Sequence, residues 1–106
     1  MTHSKAQPLI VTLSGEFDIQ NRDALRASLS PALDHPHVVV DLSDVTYLDS
    51  SALAAFIAMR GTRREKGFST AHFVITSRHI RKLFEVTQFD QLWPIFDSAS
   101  EAAEAF

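Results

Sequence analysis

Two adjacent hydroxyls, Ser50 and Ser51, follow Asp49 and lead straight into an Ala- and Leu-rich run, SSALAAFI. Three kinds of chemistry could use them or the acids around them. A serine nucleophile needs a base in reach and a third group to orient that base. The histidines, His3, His35, His37, His72 and His79, stand in no nucleophile motif, and no G-x-S-x-G elbow is present. One strand histidine and four surface ones account for them, which argues against a hydrolase. Asp18, Asp41, Asp44 and Asp49 read as lying just after strands or in the strand-to-helix loop, so several are expected at the C-terminal edge of a sheet, where α/β ligand sites form. Acids gathered there could hold Mg²⁺ in an aspartyl-phosphate switch. Such a switch also wants a lysine at a late strand end, and the late segments offer only Arg78, Arg81 and Lys82, all within a helical pattern. Helix capping and turn formation are the plainer roles for the acids. The third chemistry is modification of a hydroxyl. Phosphorylation adds a charge of about −1.5 to −2, and a helix N-terminus tolerates an added anion.

The bulk of the chain narrows the classes further. Its 106 residues suffice for one core and not for two. An apolar fraction of 45% with 22% charged residues is that of an ordinary globular domain. The net charge of −3 argues against direct nucleic-acid binding. The basic run Arg60, Arg63, Arg64 and Lys66, interrupted by Glu65, reads as a solvated helix end. The absence of cysteine removes disulfides and thiolate metal sites, and no cofactor is implied. No apolar run is long enough to insert in a membrane, and the leading MTHSKAQP has no signal-peptide hydrophobic region, so the expectation is a cytoplasmic protein.

Alternating strand and helix signals would position these residues. Residues 1–7 read as a polar, flexible N-terminus and 8–106 as the domain. Leu9–Leu13 reads as a buried strand ending in a Gly15 turn, with Asp18 as a cap. Leu25, Leu29 and Leu33 recur at helical spacing over 20–35, with Pro31 shortening the last turn. Val38–Leu42 is apolar on both faces, the mark of a strand covered on both sides. A turn carrying the acids is expected next, then a helix from about Ser50 that buries Leu53, Phe56, Ile57 and the stem of Arg60. Ala52, Ala55 and Met59 fall toward its other side. Ala71–Thr76 reads as a strand, Ser77 as the cap of a helix turning Ile80, Leu83, Phe84 and Thr87 inward, and Leu92–Phe96 as an edge strand held there by Pro94. Ser98 caps a short last helix. This order predicts an α/β fold, with a mixed, mostly parallel sheet of four to five strands and about four helices.

With those elements in place, VVVDLSDVTYLDSSALAAFI resembles the signature DLS-x-V-x-x-x-D-S-S-G-L of the STAS domain of bacterial anti-sigma factor antagonists. LSGEFDIQN resembles the family's early G-E-L-D segment, and RHIRKLFEVTQFDQLWPIF its late V-x-x-L-F-x-x-x-G-L stretch. The resemblance implies a single non-enzymatic domain that binds an anti-sigma factor with GHKL-type serine kinase activity. The unphosphorylated form would bind that partner and release the sigma factor for transcription. Phosphorylation of the first serine of D-S-S, here Ser50, would switch it off, and a serine phosphatase would reverse it. The partner-binding residues so implied are Asp18, Asp49, Ser50, Ser51, Ala52, Ala55 and Met59. One departure is that Ala52 stands where the family has glycine, its methyl expected beside the docking surface. The alternative is a phosphorylation-independent STAS subunit of a lipid-transport or stress-signalling complex.

Overall fold

The register of two long parallel strands sets the frame. In a computed structural model, which describes residues 7–106, strand β1 (Leu9–Phe17) pairs with β2 (Val38–Leu48) from Leu9↔Val38 to Phe17↔Leu48. The polar segment expected at residues 1–7 lies outside the described residues except for Gln7. Along β1, Val11, Leu13 and Phe17 are buried while Ile10, Thr12, Ser14 and Glu16 face out, the period of a half-covered strand. Both strands run further than their apolar cores suggest. The turn expected after Leu42 is instead strand, because helices cover only one face of this half of the sheet and Asp41, Asp44, Thr46 and Tyr47 can point to the other. Register shifts between Thr12 and Ser14 and between Gly15 and Glu16 each give β2 one extra residue. These bulges bring Leu42, Val45 and Leu48 all onto the core face. Gly15, at φ +86°, supplies a backbone that other residues adopt with difficulty.

Strand β3 (His72–Val74) and strand β4 (Ile95–Phe96) extend the sheet in the order β1-β2-β3-β4, every pairing parallel. Helices α1 (Arg22–Leu29), α2 (Ser50–Glu65) and α3 (Arg78–Val86) make the crossovers. They lie on one face, where Leu25, Leu29, Phe56, Met59, Ile80 and Phe84 join Val38, Val40, Phe73 and Trp93 in the main core. Helix α4 (Ala99–Glu104) covers part of the other face through Ala102 against Val39 and Val74. The segment expected as one helix over 20–35 is divided. A 3₁₀ turn at Ile19–Asn21 precedes α1, and Pro31 places Ser30–Asp34 in another. Ser77 and Ser98 accept from the backbone N–H groups of Ile80 and Glu101, capping α3 and α4 as expected.

The α2 phase differs from the expected one by about one residue. Ala52, Leu53, Ala55, Phe56, Met59 and Arg63 are its buried positions, whereas Ile57 is 41% exposed. The cause is lateral packing: α1 lies against one flank of α2, so the covered arc is wider than a single stripe and centred further round. The same shift overturns the expectation that Arg63 belongs to a solvated helix end. Arg63 is 2% exposed. Its Nη1 donates to the carbonyls of Ala32 and His35, and its Nη2 to those of Pro36 and Ser69. The loop entering β2 and the loop entering β3 are thus held by one guanidinium. Burial pushes this group below its ordinary pKa.

Arg63 and Gln88 each give a stability prediction. Arg63→Met should cost at least ~3 kcal/mol by urea denaturation, because several carbonyls lose their donor at once and each orphaned acceptor costs roughly 1–3 kcal/mol. Arg63→Lys should rescue little of this, since an ammonium lacks the planar fork. Gln88 sits at φ 62° after α3, in the left-handed region. Gln88→Gly should therefore raise stability by about 1 kcal/mol.

Candidate functional site

Where β1 and β2 end together, the backbone N–H of Asp49 donates to the carbonyl of Phe17 at 3.2 Å. Each strand then releases an aspartate at the same edge, Asp18 after Phe17 and Asp49 after Leu48. Both are extended residues, and each caps the helical turn that begins next to it. Asp18 accepts from Gln20 N–H at 2.9 Å, and its own N–H donates to Asn21 Oδ1 at 2.8 Å, closing a reciprocal box. Asp49 Oδ1 accepts from the N–H groups of Ser51 at 2.8 Å and Ala52 at 3.3 Å. The cap of α2 is therefore Asp49, and Ser50 is the first helical residue, with an exposed side chain. Ser51 is half-buried beside it.

The expected gathering of acids is partial. Asp18 and Asp49 emerge from paired strand ends, but Asp41 and Asp44 stay within β2. Eight residues at ~3.3 Å each separate Asp41 from Asp49, on the order of 25 Å along the strand. Asp41 Oδ1 is engaged by the Ser43 N–H and hydroxyl at 2.9 and 2.7 Å. Among the described residues no group of three His, Cys, Asp or Glu converges as a metal site would. Arg81 is committed to Ile75 O and Asp97 Oδ1, at 3.0 and 2.9 Å. The histidines serve elsewhere: His72 Nδ1 pairs with Ala102 O at 2.8 Å and stacks on Phe106, and His37 Nδ1 pairs with Ser69 Oγ at 3.0 Å. His79 is exposed in the first turn of α3, and His3 lies outside the described residues.

Ala52, Ala55 and Met59 are 2–3% exposed and face this chain's own interior, with Ala55 and Met59 toward Leu29 and Leu33. The three side chains therefore present very little surface to a partner, with Ala55 and Met59 at the floor of the groove between α1 and α2. The methyl of Ala52, expected beside the docking surface, is buried. The accessible side of α2 carries Ser50, Ala54, Ile57, Ala58 and Gly61 instead, with Ile19, 65% exposed, on the turn after Asp18. The difference in helix phase conceals this exposed stripe, small residues around the one large side chain of Ile57, in the sequence; its i, i+4, i+7 spacing from Ser50 is the available signal. Among the described residues no helix is long and apolar enough to cross a membrane.

Division of labour between Asp49 and Ser50 gives a direct prediction. Asp49→Ala should lower stability by about 1 kcal/mol, the worth of an N-cap. Ser50→Ala should stay within ~0.5 kcal/mol of the parent. Paired urea titrations of the two variants check both.

Known proteins share this architecture. The family model described as "Mlab, STAS domain" matches residues 1–95. A STAS-domain containing protein of Pseudomonas aeruginosa is 33% identical over 92 residues, covering 84% of this chain and 88% of that one. The anti-sigma F factor antagonist of Paenibacillus polymyxa is 27% identical over 97 residues, covering 89% and 82%. Among solved structures, an anti-sigma factor antagonist from Mycobacterium paratuberculosis superposes with a TM-score of 0.77 at 24% identity, over 91% of this chain and 82% of that one. The phosphorylated form of the Bacillus cell fate determinant SpoIIAA does so at 0.69 and 16%, over 98% and 95%. The fold is thus shared with solved anti-sigma factor antagonists, and the chain belongs to the STAS domain family.

Proposed function

We propose that this chain is an anti-sigma factor antagonist, switched by phosphorylation of Ser50. The observation that carries the reading is the exposed Ser50 hydroxyl at the first position of α2, directly after a capping aspartate and at the edge where Asp18 also emerges. The names of relatives such as the Paenibacillus polymyxa protein support it. So does the existence of a phosphorylated form of the same fold. The protein works by binding and has no catalytic step of its own. Its unphosphorylated form docks an anti-sigma factor with GHKL-type serine kinase activity, in the cytoplasm, and thereby releases a sigma factor. A serine phosphatase resets it.

The docking surface on this reading is the edge formed by Asp18, Asp49, Ser50 and Ser51, continued along α2 by Ala54, Ile57 and Ala58. The small side chains of Ala54 and Ala58 let a partner approach the helix backbone closely, and the exposed Ile57 offers it an apolar contact. Ala52, Ala55 and Met59 act from beneath by setting the position of α2. A phosphate on Ser50 sits beside the Asp49 carboxylate, and the helix dipole returns only ~0.3–1 kcal/mol. The fold carries that load, but a partner presenting acidic or apolar groups to the same spot does not, since like charges in an interface cost several kcal/mol.

A second reading is favoured by the family model's own description, Mlab. On it the same surface serves a phosphorylation-independent subunit of a lipid-transport or stress-signalling complex.

Binding to the cognate kinase, measured for the parent, Ser50→Ala and Ser50→Asp, separates the two readings. Ser50→Ala is expected to bind as the parent does, and Ser50→Asp about tenfold or more weakly, ~1.4 kcal/mol or above. Mass spectrometry of the kinase-treated parent should place the phosphate on Ser50, and Ser51→Ala should leave that labelling intact. Unchanged binding by Ser50→Asp, or a phosphate on Ser51, would remove the role given to Ser50. A protein that no such kinase binds or labels belongs to the second reading.

A further inference from the structure

The far end of α2 holds an arrangement unrelated to Ser50. Arg60, Arg63 and Arg64 line one small pocket together with Phe68, Ser69 and Thr70, closed at the back by Met59, Ala71 and Trp93. Its inner volume is about 20 Å³, room for a single oxygen-sized group, and of its lining residues Arg64, Ser69 and Thr70 are exposed to solvent. No carboxylate is among its lining residues. The ion pairs among the described residues engage Arg22, Lys66 and Arg81, so none of the three lining arginines has a carboxylate partner. Such a concentration of unneutralised guanidinium stands out in a chain of net charge −3.

Arg63 adds a second, independent observation. Both of its terminal nitrogens are engaged by main-chain carbonyls. Its Nε is the buried side-chain atom left without a partner among the described residues, in a residue only 2% exposed. A buried donor without an acceptor is destabilising unless something supplies the acceptor. Carbonyls satisfy the other donors without neutralising the charge, so an anionic acceptor fits better than a neutral one.

We propose that this pocket binds a small tetrahedral oxyanion of the phosphate class. One oxygen enters the inner space and accepts from Arg63 Nε–H, while the others are held outside it by Arg60 and Arg64. A dianion matches the two solvent-accessible guanidiniums in charge, and its third and fourth oxygens suit donors that approach from separate side chains. A carboxylate offers two oxygens and one charge, which a single arginine already saturates. Ten to fourteen residues of helix, roughly 15–20 Å, separate the site from Ser50. Its occupation is therefore independent of the modification proposed above.

The test monitors the Arg63 Nε–H resonance by NMR of isotope-labelled protein during titration at constant ionic strength. Inorganic phosphate and glycerol phosphate are the probes, with chloride as the control. Expected is a saturable shift of that resonance at millimolar phosphate, absent with chloride, unchanged in Ser50→Ala, and weakened about tenfold or more in the double variant Arg60→Gln/Arg64→Gln. Neither substituted side chain belongs to the core, so that variant is expected to fold, and its amide spectrum checks this. Tighter binding of glycerol phosphate identifies an esterified phosphate as the ligand, and equal or weaker binding identifies free phosphate. An Arg63 resonance indifferent to both probes up to tens of millimolar overturns the proposal and leaves a bound water as the acceptor. Equal affinity in the double variant overturns it as well.

Discussion

Parallel pairing of β1 with β2, carried through to their last residues, is the constraint on which the edge bearing Ser50 depends. Phe17 lies opposite Leu48, and the Asp49 N–H donates to the Phe17 carbonyl. Only in this register do the chain's two exits from the sheet fall next to one another. The pairing reaches it through two extra residues in β2, so a slip of one residue at either bulge would move Leu48 off the core face and carry Asp49 with it. Burial of Leu42, Val45 and Leu48 is what holds the register.

The opposite edge of the sheet is held by different means. There Arg63 draws the carbonyls of Ala32, His35, Pro36 and Ser69 together, gathering the chain entering β2 and the chain entering β3 around one side chain. Helix α2 is thus fixed at its start by a carboxylate that accepts from N–H groups and near its end by a guanidinium that donates to carbonyls. Both agree with the sign of the helix dipole. Between them the helix needs little from its exposed side, which is free to carry alanine and glycine.

Much of this is legible in the residues, and the exceptions have physical causes. Three consecutive valines announce β2, and Ser77 and Ser98 announce their helices, because burial on both faces and capping are local signals. The D-S-S turn is legible as a helix start. The continuation of β2 through Asp41 and Asp44 is not, because acids in a strand are explained only by an uncovered sheet face, and which face is uncovered depends on α4, far along the chain. The phase of α2 misleads for a similar reason: Ala55 and Met59 are buried by α1, and alanine carries little signal about which way it faces. Arg63 is invisible as a structural residue since its partners are main-chain carbonyls, which leave no complementary side chain to find. The adjacency of Asp18 and Asp49 requires the strand register, which no spacing in the sequence encodes.

Asp49 already occupies the N–H groups of Ser51 and Ala52, the donors that a helix start would otherwise offer an incoming anion. A phosphate placed on Ser50 would find those two donors already taken and, with less of a backbone cradle to settle into, would stay hydrated and open to attack by water in a hydrolase's active site. Many anion sites at helix termini gain their hold by enclosing the charge. Here the cap would keep such a charge at arm's length, so a mark written at this position would be stored without being protected, its lifetime set by whatever enzymes reached it.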